Sequence, residues 1–317
     1  MASDQGNYGY EQNCIRNTYC ISFFTLQSGH AFASTFSAMA MASFNNDAVV
    51  NEADELMTVL HNDITRRFNL KVHPQLVHNF MLVLARSSNK DAGSIAEKWM
   101  ESYRHVYRYR ENMTTAEITL LQHTYRNTIE AFVSFQQDPD SFIRANEIYS
   151  NAPAIVRHNP FVMLGIMKVA SSSKHPDSPN EIIRYSEKMK EIIGYSTFRE
   201  KFENITRKHL MTSLANCGGN NFEQAKLTMH QQLNSKDPVT EYFLLRFLHC
   251  IDCSNESVDK VNTTMDVFHL ATEHGICSAK ILSTLQKMLS TEQYESLAIP
   301  KVIPPKWQKR LRYNPRR

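Results

Sequence analysis

The 317-residue chain is poor in glycine, with 9, and holds only 2 tryptophans and 11 prolines. So few glycines leave little material for active-site loops. Neither a glycine-rich phosphate-binding pattern nor a strained nucleophile elbow occurs. No stretch approaches 18 consecutive apolar residues, so no transmembrane helix is expected. A Pro/Gly/Ser linker long enough to divide the chain is also missing, and no alternating apolar/polar run competes with the helical pattern described below. The cysteines (Cys14, Cys20, Cys217, Cys250, Cys253 and Cys277) lack regular spacing, which fits a reducing compartment better than a disulfide scaffold. In such a compartment the glycosylation sequons at Asn112, Asn204, Asn255 and Asn262 are chance occurrences.

Basic residues are scarce at the start. Residues 1–26 carry Asp4 and Glu11 against a single Arg16, whereas a mitochondrial presequence is Arg-rich and acid-poor. The apolar run Cys20 to Leu26 has no basic region before it and is too brief for a signal peptide. Residues 1–30 are therefore read as a partial helix or the remnant of an earlier repeat, and Ala31 to Phe44 as a first structural helix.

What the chain does have is helical periodicity. In Ala53 to Tyr103, apolar residues fall at Leu56, Met57, Leu60 and Ile64, then at Leu76, Val77, Phe80, Met81 and Leu84, then at Ile95, Ala96, Trp99, Met100 and Tyr103. Each run has the i, i+3, i+4, i+7 spacing of an amphipathic helix. His73-Pro74 marks a helix start and Ser87 to Asp91 a short polar turn, so the middle helix must fold back on its neighbours. Helical pattern continues from Ala48 to Leu297, with capping boxes expected at Thr114 to Glu117 and at Ser178 to Glu181, the latter with proline at the first helical position. Ser196 to Glu203 is expected to extend the helix that follows it, and Ala279 to Leu289 to close the array as a final helix. A hairpin of this kind cannot bury its apolar face alone, which is the logic of a helical solenoid.

This stretch, LKVHPQLVHNFMLVLARSSNKDAGSIAEKWMESY above all, resembles a pentatricopeptide-repeat unit of the degenerate form found in algal and stramenopile proteins. Similar first-helix (A) patterns occur at Ser34 to Ala40, Thr124 to Ala131 and Ile205 to Met211, with weaker ones beginning at Phe161 and Val239. Second-helix (B) patterns recur at Ala145 to Tyr149 and Phe222 to Met229. The registers near 34, 76, 123, 161, 205 and 239 differ by 42, 47, 38, 44 and 34 residues, where the family standard is about 35. The resemblance implies an all-α, right-handed α-α superhelix of about six irregular repeats over residues 31–298, with residues 299–317 as a basic tail. It also implies single-stranded RNA as partner, read chiefly by the fifth residue of each A helix. Carried over, that position falls on Ala38, Phe80, Asn127, Gly165, His209 and Phe243. Asn127 is the amide type that bonds a base edge, Phe80 and Phe243 are stacking candidates set against core roles, and His209 is a stacking or bonding candidate. A mitochondrial or plastid setting follows from the resemblance alone.

Charge divides the chain. The formal net charge is +3, but the tail from Lys301 onward contributes +7 with no acid, so residues 1–300 sum to −4. In that tail Lys306, Trp307, Lys309, Arg310 and Arg312 interleave cations with an aromatic plane, a pattern that can neutralise phosphates and stack unpaired bases, or simply keep a tail solvated. Pro304-Pro305-Lys306-Trp307 is similar to the segment that closes many algal arrays. A slightly acidic body does not advertise a phosphate groove, yet Arg126 with Asn127, and Arg207 with Lys208 and His209, form local basic patches.

Cys250, Cys253, His269 and His274 approach zinc-finger spacing. The pair of thiols ends one helix while His269 lies about 18 Å along the next, so no metal site is expected there. No cofactor, small-molecule substrate or catalytic set is expected either. Two functions remain: an RNA-binding helical-repeat protein acting without catalysis in transcript processing or stability, and a scaffold whose groove holds a peptide or protein subunit.

Overall fold

The long helices follow from the apolar spacing and, at His73-Pro74 and Thr114, from their start signals. The structure, a computed structural model, describes residues 27–42, 47–62, 72–104, 109–134, 139–218, 221–254, 260–297 and 299. Among these there are helices and no strand. In chain order they are α1 Gln27–Ala42, α2 Asp47–Val59, α3 Pro74–Arg86, α4 Ala92–Ser102, α5 Thr115–Glu130, a 3-10 turn Ala131–Ser134, α6 Pro139–Asn151, α7 Ala154–Arg157 and α8 Pro160–Ser172. There follow α9 Ser178–Ile193, α10 Tyr195–Lys201, α11 Glu203–Cys217, α12 Phe222–Leu233, α13 Glu241–Cys253, α14 Lys260–Glu273, α15 Ala279–Met288 and α16 Thr291–Ser296. None of them is long and apolar enough to cross a membrane.

Side-chain caps fix several of these boundaries. His73 accepts the Gln75 amide through Nδ1 at 3.2 Å with Pro74 opening α3, and the Thr114 hydroxyl and Glu117 carboxylate close the expected box on α5. The second expected box does not form. Asp177 precedes α9 without a side-chain cap, because the Ser178 hydroxyl pairs with that of Ser173 at 2.8 Å. A box that the sequence reading missed lies at Ser290 and Gln293. Ser196 to Glu203 does not simply extend α11. Gly194, at φ 82°, starts the separate α10, and a break at Phe202 ends it.

An alternation of long A and B helices is the helical-repeat character of the fold. The A helices α1, α3, α5, α8, α11, α13 and α15 begin at residues 27, 74, 115, 160, 203, 241 and 279, so the intervals are 47, 41, 45, 43, 38 and 38 residues. All exceed the expected standard, and a seventh A helix extends the expected series of six.

Contacts divide the described residues into two bodies, one from 1–135 and 143–166, the other from 136–142 and 167–317. In the first, α1 packs on α3 and α3 on α5. An aromatic cluster staples this layer to its B helices. Phe36 meets Phe80 edge-on at 5.4 Å, Trp99 stacks on Tyr103 at 5.7 Å, and the Trp99 indole N–H donates to Asp54 at 2.5 Å. Gly93 lets α4 approach the 3-10 turn, since a Cβ there would lie 2.6 Å from the Phe132 ring. Arg144 on α6 ties back to Glu97 and Ser94 on α4. In the second body α9 packs on α11, α11 on α13 and α13 on α15, around Leu210, Leu214, Phe243, Leu244, Phe247 and Ile281.

Candidate functional site

An amphipathic A helix must put its polar stripe somewhere, and in each body the half-exposed residues of these helices form a polar row. In the first body the row includes Gln75, His78 and Asn79 on α3, His123 and Arg126 on α5, and Phe161 at the start of α8. His78 and His123 face each other with ring centroids 6.2 Å apart, and His78 Nδ1 lies 3.4 Å from the Thr124 hydroxyl. Burial, reinforced by the neighbouring imidazole, lowers the His78 pKa to about 4. Arg126 pairs with Glu130 at 2.5 Å and holds its guanidinium 6.0 Å from the centroid of the half-exposed Phe161 ring.

In the second body the corresponding row carries Lys168 on α8, Lys208, His209 and Thr212 on α11, and Tyr242, Arg246 and His249 on α13, and α15 adds the exposed Lys280 and Lys287. Neighbouring helices are joined by polar side chains along it. Ser171 Oγ meets His209 Nδ1 at 3.1 Å, Thr212 meets the Tyr242 hydroxyl at 3.0 Å, and Arg246, its guanidinium over the Tyr242 ring, donates to Asn216. Acids on these same four helices are Glu203, Glu241 and Asp252. Glu203 pairs with Arg207, and Glu241 accepts from Ser278 at 2.5 Å. The B helices of the first body are the reverse. Glu52, Asp54 and Glu55 on α2, Glu97 and Glu101 on α4, and Glu147 on α6 outnumber Lys98 and Arg144.

Several expected readers lie elsewhere than on these rows. Phe80 and Phe243 are core residues, 0% and 1% exposed, so no ring face is open for a base. Asn127 is buried too, with its amide nitrogen lacking a hydrogen-bond partner. Gly165 lies under the Arg126 and Glu130 stems, and Ala38 is exposed without a polar group to offer. Arg207 is no phosphate contact. Its guanidinium is buried and donates to Gln232 Oε1 and Asp237 Oδ2, both at 3.0 Å, with Glu203 at 3.4 Å. Of the residues expected on helices, Arg126, Lys208 and His209 keep surface positions. Lys306, Trp307, Lys309, Arg310 and Arg312 lie outside the described residues.

The row residues His78, His123, Phe161, Arg246 and Lys287 escaped the sequence reading. Their only signal was a place three or four residues from a core position on an A helix. Cys250 and Cys253 end α13. Burial pushes the Cys250 thiol up to about 12, and Cys253 Sγ sits 3.7 Å from His249 Nε2. Among the described residues no three His, Cys, Asp or Glu side chains converge as a metal site. The second body also has an open groove of about 960 Å³ between α9, α10, α11 and α12, floored by Ile182, Phe198 and Leu210 and crossed by the Glu203–Arg207–Asp237 network. Comparison with protein-family models, with curated proteins and with solved structures finds no match.

Proposed function

We propose that the chain is a helical-repeat protein, built as a right-handed α-α superhelix, that binds single-stranded RNA along its A helices and acts on transcripts without catalysis. The observation that carries this reading is the partition of charge. Cations and a half-exposed tyrosine gather on the A-helix row of the second body, while the B helices of the first carry the acids. A row of lysine and arginine with interleaved aromatic planes is what an unpaired strand requires, because phosphates need neutralising and bases need stacking partners. The pentatricopeptide-like pattern supports the same partner and a mitochondrial or plastid setting.

Pooled single-stranded RNA, titrated against the full chain and against a version ending at Pro300 across a salt series, tests the proposal. Counterion release predicts that both bind and that affinity falls steeply with salt. Loss of all binding with the tail would move RNA contact off the helices. A second reading, a scaffold for a peptide or protein subunit, is favoured by the groove beside α9, where Tyr195 stands 62% exposed above an apolar floor. That reading predicts no RNA binding at physiological salt by either version.

A further inference from the structure

Hydrogen-bond accounting assigns a tautomer to His78. The Thr124 hydroxyl has one proton, which it donates to the Leu120 carbonyl at 2.8 Å. Toward His78 Nδ1, at 3.4 Å, the same oxygen is left to accept, which assigns the ring proton to Nδ1. Nε2 is then a bare acceptor, and among the described residues no donor reaches it. The imidazole stays neutral because burial holds its pKa near 4, so at neutral pH the lone pair is always present. A fixed, neutral acceptor on a binding face is unusual chemistry for histidine, which near pH 6.5 is ordinarily a mixture of a tautomeric neutral ring and a donor-only cation.

Around this acceptor the first body places three further groups. The His123 ring stands at 68° to that of His78 and is exposed to solvent. Arg126 lies one helical turn beyond His123, and its guanidinium sits over Phe161, whose ring is 50% exposed. Arg126 is held by Glu130 and its guanidinium covers Phe161, so the groups open to a ligand here are the His78 acceptor and the upright His123 imidazole, the components of a base-reading subsite.

We propose that the His78–His123 pair takes an unpaired base with an exocyclic amino group, adenine or cytosine in preference to uracil, and that this group donates to His78 Nε2. This rests on the RNA reading above and adds a preference to it. Adenine and cytosine present an amino donor beside a ring acceptor. Uracil presents one imino donor flanked by two carbonyls, whose lone pairs would face that of the imidazole, so the subsite disfavours it.

The test uses the full chain at pH 7.5 and constant salt with labelled oligomers (A)12, (C)12 and (U)12. The unmodified protein should bind the adenine and cytosine oligomers about tenfold more tightly than the uridine one, the scale of a single discriminating hydrogen bond. His78→Phe, which keeps a ring and deletes the lone pair, should bring the adenine and cytosine oligomers to the affinity of the uridine one, and His78→Gln, which retains an acceptor oxygen, should restore part of the preference. A measurement without mutation stands beside these. The 15N resonance of the unprotonated ring nitrogen of His78 should move on adding (A)12 and stay on adding (U)12. If the unmodified chain binds all three oligomers within twofold of each other, or if the 15N signal is indifferent to (A)12, the subsite is overturned and the RNA reading stands. If it binds none of them, both fall together.

Discussion

Replacing Arg207 and Lys208 with glutamine, one at a time, should give opposite phenotypes. The Arg207 side chain is 7% exposed and loses acceptors at Gln232, Asp237 and Glu203 when truncated. Removing one partner of a fully buried ion pair costs about 3–5 kcal/mol. Here Glu203 and Asp237 keep 28% and 38% of their surface, so water resolvates them in part and the loss falls to about 2 kcal/mol. Lys208 is half-exposed and has no ion pair among the described residues, so its replacement should change stability by less than about 0.5 kcal/mol. In RNA binding the order reverses. Lys208→Gln should lower the slope of log affinity against log salt by about 0.7, one phosphate contact on a single strand, whereas Arg207→Gln should leave the slope alone. Amide hydrogen exchange across α11 and α12 measures the first quantity and filter binding over a salt series the second. Equal exchange in the two variants would refute the burial of Arg207, and a salt slope that falls only with Arg207→Gln would show that the assignment of inside and outside on α11 is reversed.

Further outcomes follow from the same geometry. His78 has its folded-state pKa lowered to about 4 from 6.5, so the unfolded chain binds more protons between those values, and the stability that the neutral ring contributes above pH 6.5 is lost as pH falls through 4. The loss is about 1–2 kcal/mol by pH 5 after allowing for partial exposure, and the gap between the urea midpoints of the unmodified chain and His78→Phe should narrow or invert accordingly; a gap constant from pH 7.5 to 5 would refute the assignment. Gly93→Ala drives a methyl to 2.6 Å from the Phe132 ring, itself buried, and should destabilise by about 1–3 kcal/mol, seen as a lower thermal midpoint; an unchanged midpoint would mean that α4 and the 3-10 turn are farther apart than described. Burial raises the Cys250 and Cys277 thiols to about 12 and 11, so neither should be alkylated by iodoacetamide at pH 8 in the folded protein, and both should react in urea; mapping the modified cysteines by mass spectrometry settles it.

The helices were legible because burial follows spacing. Leu76, Val77, Phe80, Met81 and Leu84 are all buried, as their period requires, and the His73 and Thr114 caps sit where the sequence puts them. The surface row was not legible, for a physical reason. A period of 3.6 residues says which side chains share a face, but an A helix packs against the A helices on both sides and against B helices as well, so most of its circumference is covered. Counting to a fifth position therefore chose Phe80 and Phe243, which point inward. Arg207 and Lys208 were equivalent in sequence. What separates them is Gln232 and Asp237, which lie 25 and 30 residues away and capture one guanidinium while leaving its neighbour out. The His78–His123 pair likewise exists only once α3 lies against α5.

The net charge misleads in the same way. A sum of −4 over residues 1–300 argues against a phosphate ligand if it is spread evenly, but a strand bound to one face feels charge mainly within about one Debye length, roughly 8 Å at physiological salt. The first body holds acids on α2, α4 and α6, and several are already engaged: Asp54 with the Trp99 indole, Glu97 with Arg144, Glu101 with Arg104. In the second body the four A helices carry Lys168, Lys208, Arg246, Lys280 and Lys287 beyond the Arg207 that Glu203 and Asp237 neutralise, against Glu241 and Asp252. Local sign and global sign differ, and only the local one reaches a bound strand. The RNA proposal therefore stands or falls on the salt dependence of the helices themselves, measured without the tail.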